Sequence, residues 1–419
     1  MPDSETSTER VNRTGEEILD LCTGDNSPED ICQIMSKRYN EGIDTVRSLV
    51  YPFLAESAAR KTITIQNEQE TIEDRASVTG SYDMRIPLIV SLELTSGCNL
   101  ACTHCYASAS LGRGEHLAES HAIATLQYLA SNGTYSVLLT GGEPTMHPAF
   151  SHILSTASEL MRLVRVATNL YSLPEPSLRA ITDNDKVSVQ TSIDGLSDTH
   201  NLIRGGNCAF EKTMHNVRLL AAAGKTVIVA MTANRLNWRE VEQVVERCVD
   251  SGAAAFRLGL TFPVGRAAFS GLALDPVEIE TLQRDWEGIV SRYSSPTFSL
   301  NRSEEAQDYQ EISVSNNDIP SCGAGHLIAH ICANGDINPC PMLRVRLGNI
   351  VTSALDDAFS GPLYPLPDDA ASPGGSHCAG CELASMCGRC HAVAAAWSDG
   401  DDCWWRETDL GRHLLGVRH

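Results

Sequence analysis

Lysine is nearly missing from this chain: among 419 residues only Lys37, Lys61, Lys186, Lys212 and Lys225 are lysines. Acidic residues number 53 against 32 basic ones, for a formal net charge of −21. That balance argues against nucleic acid or an anionic membrane as the main partner. It fits a high-salt cytoplasm, an acidic compositional bias or, least well, a basic substrate. No apolar run approaches the length needed to cross a bilayer. The start, MPDSETSTER, is polar and acidic, unlike a secretory signal. A cytoplasmic location is therefore expected. Apolar residues make up 42% of the chain, which excludes a disordered polymer, and the length calls for two or three folded units.

Cysteine, in contrast, is plentiful, with fifteen residues. A reducing compartment rules out a disulfide framework. Three fall between positions 98 and 105, and eight lie in the last hundred residues. The other four, Cys22, Cys32, Cys208 and Cys248, are scattered through apparent helices. Clustered thiols in a reducing compartment point to metal.

Three regimes follow one another. Residues 10–66 read as small helices: one over Gly15–Cys22, one opened by the N-cap Ser27 with Pro28 in its first turn and running to Tyr39, and one from Asp44 to Ala58. Thr62–Ile65 reads as a short β segment, and the acidic stretch Gln66–Tyr82 as a linker. Between residues 86 and 300, six β-rich runs alternate with helical stretches: Leu88–Leu94, Ser136–Thr140, Leu163–Ala167, Val187–Ser192, Thr226–Thr232 and Ala255–Thr261. Strand–helix alternation implies an α/β fold with a parallel sheet, either an open wound sheet or a partial barrel. In such folds chemistry gathers at the C-terminal ends of the strands. From 315 to 410 the chain is loop-rich, and metal clusters can replace the missing core.

The motifs sit where that rule puts them. After the first strand come Cys98, Cys102 and Cys105, spaced C-x3-C-x2-C. Three thiolates can ligate three irons of a cubane and leave the fourth iron open to a substrate group. Zinc is the alternative reading, but it takes a fourth ligand, and its thiolates usually come in C-x2-C pairs. Gly141-Gly142-Glu143-Pro144 follows the second strand at the same sheet edge.

Together these two motifs resemble the radical S-adenosylmethionine superfamily over roughly Pro87–Arg292. The resemblance implies a partial (β/α)6 TIM barrel and a [4Fe-4S] cluster held by Cys98, Cys102 and Cys105. The open iron of that cluster would bind S-adenosylmethionine. It also implies that Gly141, Gly142 and Glu143 hold the methionine ammonium and that His104, in the family's aromatic position, meets the adenine through its backbone. Ser192 and Asp194, in Ser192-Ile193-Asp194-Gly195, match the ribose-contacting segment, and Arg204 matches the arginine on the methionine carboxylate. The chemistry implied is reductive cleavage to a 5′-deoxyadenosyl radical that abstracts a hydrogen atom.

The C-terminal cysteines, Cys322, Cys340, Cys378-x2-Cys381-x5-Cys387-x2-Cys390 and Cys403, are similar to the auxiliary-cluster (SPASM) extension of the superfamily. This implies two further iron–sulfur clusters. Cys322, Cys340 and Cys390 would hold the nearer one, and Cys378, Cys381, Cys387 and Cys403 the farther one. Cys332 either completes the nearer cluster or is a core residue that leaves an iron open; the open iron is the expectation adopted. Pro341 stands where the sulfatase-maturing branch has a catalytic aspartate, so that activity is not expected. Finally, residues 10–66 resemble the helical part of a PqqD-type, winged-helix-like element, which binds a leader peptide as an added strand. The leading expectation is a maturase acting on a leader-bearing precursor peptide, supplied with electrons by a flavodoxin or ferredoxin. Side-chain processing in haem or other cofactor biosynthesis is the alternative. A non-enzymatic iron–sulfur electron carrier is a remote one, because it leaves the GGEP segment and Arg204 unexplained.

Overall fold

The computed structural model describes residues 13–59, 62–66, 86–109, 111–112, 114–262, 264–302, 323–325, 327–360, 390 and 392. The chain divides into two compact units, Met1–Met84 and Arg85–His419.

The described residues of the first unit form three helices: α1 (Arg13–Leu21), α2 (Pro28–Tyr39) and α3 (Ile43–Ala59). Ser27 caps α2 as expected. Its side chain accepts from the Asp30 N–H while the Asp30 carboxylate accepts from the Ser27 N–H, a reciprocal box that satisfies two otherwise orphaned donors. Ile18, Ile31, Cys32, Met35, Val46, Val50 and Leu54 close a small core. Cys32 is fully buried in it as an ordinary small hydrophobe. Thr62–Ile65 is not a strand. The N–H groups of Thr62 and Ile63 both turn back to the Ser57 carbonyl, and Ile63 packs on the helical core. A short β-branched run with no partner strand among the described residues gains more from that turn.

The second unit is an α/β sheet. Strands β1 (Ile89–Thr95), β2 (Ser136–Gly141), β3 (Leu163–Ala167), β4 (Val187–Ser192), β5 (Val227–Ala233) and β6 (Ala255–Leu260) lie parallel and in sequence order. Helices α4 (Glu119–Ser131), α5 (Phe150–Leu160), α6 (Glu175–Thr182), α7 (Ser197–Arg204) with α8 (Ala209–Ala222), α9 (Val241–Asp250) and α10 (Pro276–Tyr293) follow these strands in turn. Every strand expected between residues 86 and 300 is present within one residue at either end. Two further strands join this set: β7 (Ser299–Arg302), parallel to β6, and β8 (Ile328–Ile331), parallel to β1. From β8 a hairpin continues through β9 (Asp336–Asn338) to β10 (Gly348–Asn349), followed by the short α11 (Leu355–Ala358). The start of the C-terminal segment is thus built onto the barrel's own sheet. All of the linker Gln66–Tyr82 but its first residue lies outside the described residues.

Side-chain alternation gives the sheet two unlike faces. Val90, Leu92 and Leu94 of β1, Val137 and Leu139 of β2, Val164 and Val166 of β3, and Phe256 and Leu258 of β6 all join the main core. The alternate positions carry Ser91 and Glu93, Thr140, Arg165, Ser188 and Gln190, and Arg257. An apolar face packed against helices and a polar inner face is the arrangement of a partial barrel that works on a ligand inside it.

Candidate active site

The cysteine loop leaves β1 at Thr95 and is pinned on several sides. The Thr95 hydroxyl accepts from the Gly97 N–H at 3.0 Å. The N–H groups of Ala101 and Thr103 reach the Arg204 and Ile203 carbonyls at the end of α7. Arg266, just past β6, donates to the Cys102 and Ala109 carbonyls, each at 2.7 Å, and its own N–H bonds the Cys105 carbonyl. Gly265 has a φ of +64°, and a Cβ there would meet the Tyr106 carbonyl oxygen at 2.3 Å, so only glycine lets this clamp close.

Gly141 and Gly142 serve a similar approach. A Cβ on Gly142 would lie 2.1 Å from the Gly97 carbonyl oxygen, and one on Gly141 2.4 Å from the Thr95 oxygen. The two strand-end loops therefore touch backbone to backbone, with the Gly142 and Glu143 N–H groups bonded to the Thr95 and Gly97 carbonyls. The Glu143 side chain is fully buried and its carboxylate is saturated by protein donors. One oxygen accepts from the Thr145 N–H, the Thr145 hydroxyl and the Thr168 hydroxyl, and the other from the Asn169 N–H at 2.8 Å. Burial holds this carboxyl above its ordinary range, against the opposing pull of those donors. Glu143 thereby ties the end of β2 to the end of β3 and fixes Asn169. The Asn169 amide in turn faces the Cys98 sulfur at 3.7 Å and donates to the Asn99 side chain at 2.7 Å.

A second buried network lies beyond β4. Asp194 is fully buried, with Arg204 at 2.5 Å and the His104 Nε2 at 3.3 Å from its Oδ2. Burial opposes its ionisation, but the Arg204 guanidinium, with a lesser contribution from the His104 side chain, overcomes that and holds the carboxyl well below the usual range. The other carboxylate oxygen accepts from the Thr232 N–H at 2.9 Å. His200 accepts from the Asp194 N–H at 2.9 Å; burial, aided by the Arg204 charge, pushes its pKa down to about 3, so it stays neutral. Arg204 also points Nη1 at the Cys102 sulfur, 3.7 Å away. Thus His104, Asp194 and Arg204 form one array that reaches the cysteine loop. Ser192 is the last residue of β4, on the inner face and paired with Ala230 of β5.

A three-thiolate cluster site suits these residues. Cys98 and Cys102 are buried; burial pushes the Cys98 thiol up to about 12, and its neighbours Glu143, Cys102 and Cys105 add to the rise. Ligation to iron deprotonates a coordinating thiol outright and removes that conflict. N–H donors from Leu100, Asn169 and Arg204 already face the sulfurs of Cys98 and Cys102, as they do around thiolates bound to metal. The His104 Nδ1, the Arg204 Nε and the Ser96 hydroxyl are buried beside the loop without a protein partner.

Residues 92–248 match the family model described as the Radical SAM superfamily, and residues 3–63 match that of coenzyme PQQ synthesis protein D. The sporulation killing factor maturation protein SkfB of Bacillus subtilis is 34% identical over 283 residues, covering 68% of this chain and 67% of its own. The chain belongs to the radical SAM superfamily. Its members are enzymes that bind a [4Fe-4S] cluster and S-adenosylmethionine. The subtilosin biosynthesis protein AlbA, also of Bacillus subtilis, is 26% identical over 91% of this chain and 84% of its own. Among solved structures, Streptococcus suis SuiB bound to S-adenosylmethionine superposes with a TM-score of 0.63 at 15% identity, covering 94% of this chain and 93% of that one. SuiB has also been solved bound to its precursor peptide SuiA, with a TM-score of 0.62.

Within this radical SAM site, motif reading missed Thr168, Asn169, His200, Gly265 and Arg266. Asn169 and Arg266 were within reach of the strand-end rule, since both follow strands at the edge that carries the cysteines. His200 and Thr168 carried no such signal. Of the C-terminal set, Cys340 and Cys390 are described, and both are half-buried. Cys322, Cys378, Cys381, Cys387 and Cys403 lie outside the described residues. No helix among the described residues is long and apolar enough to cross a membrane.

Proposed function

We propose that this radical SAM enzyme is a peptide maturase that oxidises side chains of a ribosomally made precursor. The observation that carries this reading is the pairing, in one chain, of the cysteine-loop site with an N-terminal three-helix unit matching the PqqD model. A small-molecule enzyme of cofactor synthesis has no need of such a unit. SkfB is named a maturation protein, AlbA a bacteriocin biosynthesis protein, and SuiB has been solved with a precursor peptide, all of which support it.

In this reading Cys98, Cys102 and Cys105 hold the cluster. When bound, that group supplies one electron to the sulfonium of S-adenosylmethionine and so starts the radical chemistry. Gly141 and Gly142 set the distance between the two loops that flank the site. Glu143 acts through Asn169, His104 lies against Asp194, and Arg204 bridges Asp194 and Cys102. Arg165 and Arg257 face the barrel interior with no acidic partner among the described residues. They offer a counter-charge to an acidic group of the substrate. Cys322, Cys340, Cys378, Cys381, Cys387, Cys390 and Cys403 would hold two auxiliary clusters, which would supply an acceptor for the electron left after hydrogen abstraction. A flavodoxin or ferredoxin in the cytoplasm is the electron source.

The test is anaerobic incubation of the reconstituted enzyme with reductant, S-adenosylmethionine and the short peptide encoded beside its gene. Formation of 5′-deoxyadenosine with a two-hydrogen mass loss in the peptide supports the reading. 5′-Deoxyadenosine with an unmodified peptide overturns the substrate assignment, and absence of both products overturns the chemistry.

A further inference from the structure

Glu93, His330 and Cys332 take no part in the site above, yet one ligand atom from each lies within 4.8 Å of the others. The strands explain the meeting. β8 runs parallel to β1 with Ser91 opposite His330 and Leu92 opposite Ile331, so the next pair in register is Glu93 with Cys332. All three project from the inner face, since Leu92, Leu94 and Ile331 belong to the opposite, apolar face. Glu93 and His330 are 7% and 2% exposed. The His330 Nε2 stands 3.3 Å from the Glu93 carboxylate, and its Nδ1 has no partner. The Asn338 amide donates to the Cys332 sulfur at 3.1 Å, the kind of support that steadies a bound thiolate.

Cys332 is also too far along the sheet to share a group with Cys340. In the β8–β9 hairpin His330 pairs with Asn338, and the turn at Gly335 lies beside Cys332. Cys332 and Cys340 therefore sit at opposite ends of the hairpin, roughly 13 Å apart at ~3.3 Å per residue.

We infer that Glu93, His330 and Cys332 form a mononuclear site for a zinc-class divalent cation inside the barrel, separate from every iron–sulfur cluster. One carboxylate oxygen, one imidazole nitrogen and one thiolate sulfur are the donors zinc accepts. Three protein ligands leave the fourth tetrahedral position for water or a donor atom of the substrate. Burial, with Glu93 adding to it, pushes the Cys332 thiol up to about 12 in the absence of a cation, and a divalent ion at this point offsets both effects.

The test uses the fully reconstituted enzyme, given one equivalent of Zn²⁺ and desalted. Metal content and zinc-edge X-ray absorption report on zinc without interference from iron. One zinc per chain is expected, with one sulfur at ~2.3 Å and nitrogen or oxygen neighbours at ~2.0 Å. Cys332→Ser, His330→Gln and Glu93→Gln should each remove it while iron content and circular dichroism hold. Asn338→Ala should weaken zinc about 10–100-fold without changing the shell. Failure to retain zinc, or an all-sulfur shell indifferent to Cys332→Ser, overturns the assignment. 5′-Deoxyadenosine formation, read separately, keeps that failure distinct from a failure of the maturase reading.

Discussion

Replacing Asp194 with asparagine tests the electrostatic frame of the site most directly. The carboxylate is fully buried and faces Arg204, whose side chain is only 11% exposed, and His104, at 8%. Removing one partner of a buried ion pair leaves the other charge uncompensated, at a cost of about 3–5 kcal/mol. Asparagine keeps an oxygen for the Thr232 N–H, so the lower end, about 3 kcal/mol, is expected. Changing Arg204 to methionine as well should recover much of that loss, because the orphaned cation is then gone; a coupling of about 2–3 kcal/mol is expected from the cycle. Trp238 and Trp286 lie in the barrel core and report its unfolding by fluorescence in a denaturant titration. The acid limb supplies a second readout. Because the folded-state pKa of Asp194 is depressed, its contribution is complete above the unfolded value near ~3.9. It is lost as pH falls from there through the folded value. The Asp194→Asn protein should lack that component of acid destabilisation. A coupling below about 1 kcal/mol would refute the idea that this pair organises the site.

Three further outcomes follow from the same geometry. Gly142→Ala places a methyl group against the Gly97 backbone, so the cysteine loop must move, and iron bound at this cluster should fall sharply; Gly224→Ala, whose Cβ meets nothing within 4 Å, should cost only the ~1–2 kcal/mol of left-handed strain and leave iron unchanged. Glu143→Gln turns an amide N–H₂ toward donors that now have carboxylate oxygens, and should destabilise the barrel by about 1–3 kcal/mol in the same titration. Arg165→Met removes a buried cation without a counter-charge, so stability should hold or rise while KM for an acidic peptide increases.

Much of the barrel was legible because its signals are local. A strand such as Val187–Ser192 shows itself within six residues, and three cysteines within one loop carry their spacing with them. β7 was not legible, being four residues long and lacking a pattern that distinguishes it from loop; nor was the pairing of β8 with β1, because nothing local names a strand's partner. Thr62–Ile65 misled for the opposite reason, since β-branched residues favour a strand only where a partner strand exists.

The sequence by itself determined that a three-cysteine loop follows the first strand, that glycines and a glutamate follow the second, and that six parallel strands carry them. These are consequences of period and spacing over short distances. Only the tertiary structure decided that Glu143 spends its carboxylate on Thr145, Thr168 and Asn169, or that Asp194 is clamped between His104 and Arg204. It alone decided that Arg266 closes over the cysteine loop and that Glu93 meets His330 from 237 residues away. Buried charges acquire their partners from chain packing, and no pattern along the sequence specifies which distant residue will supply them.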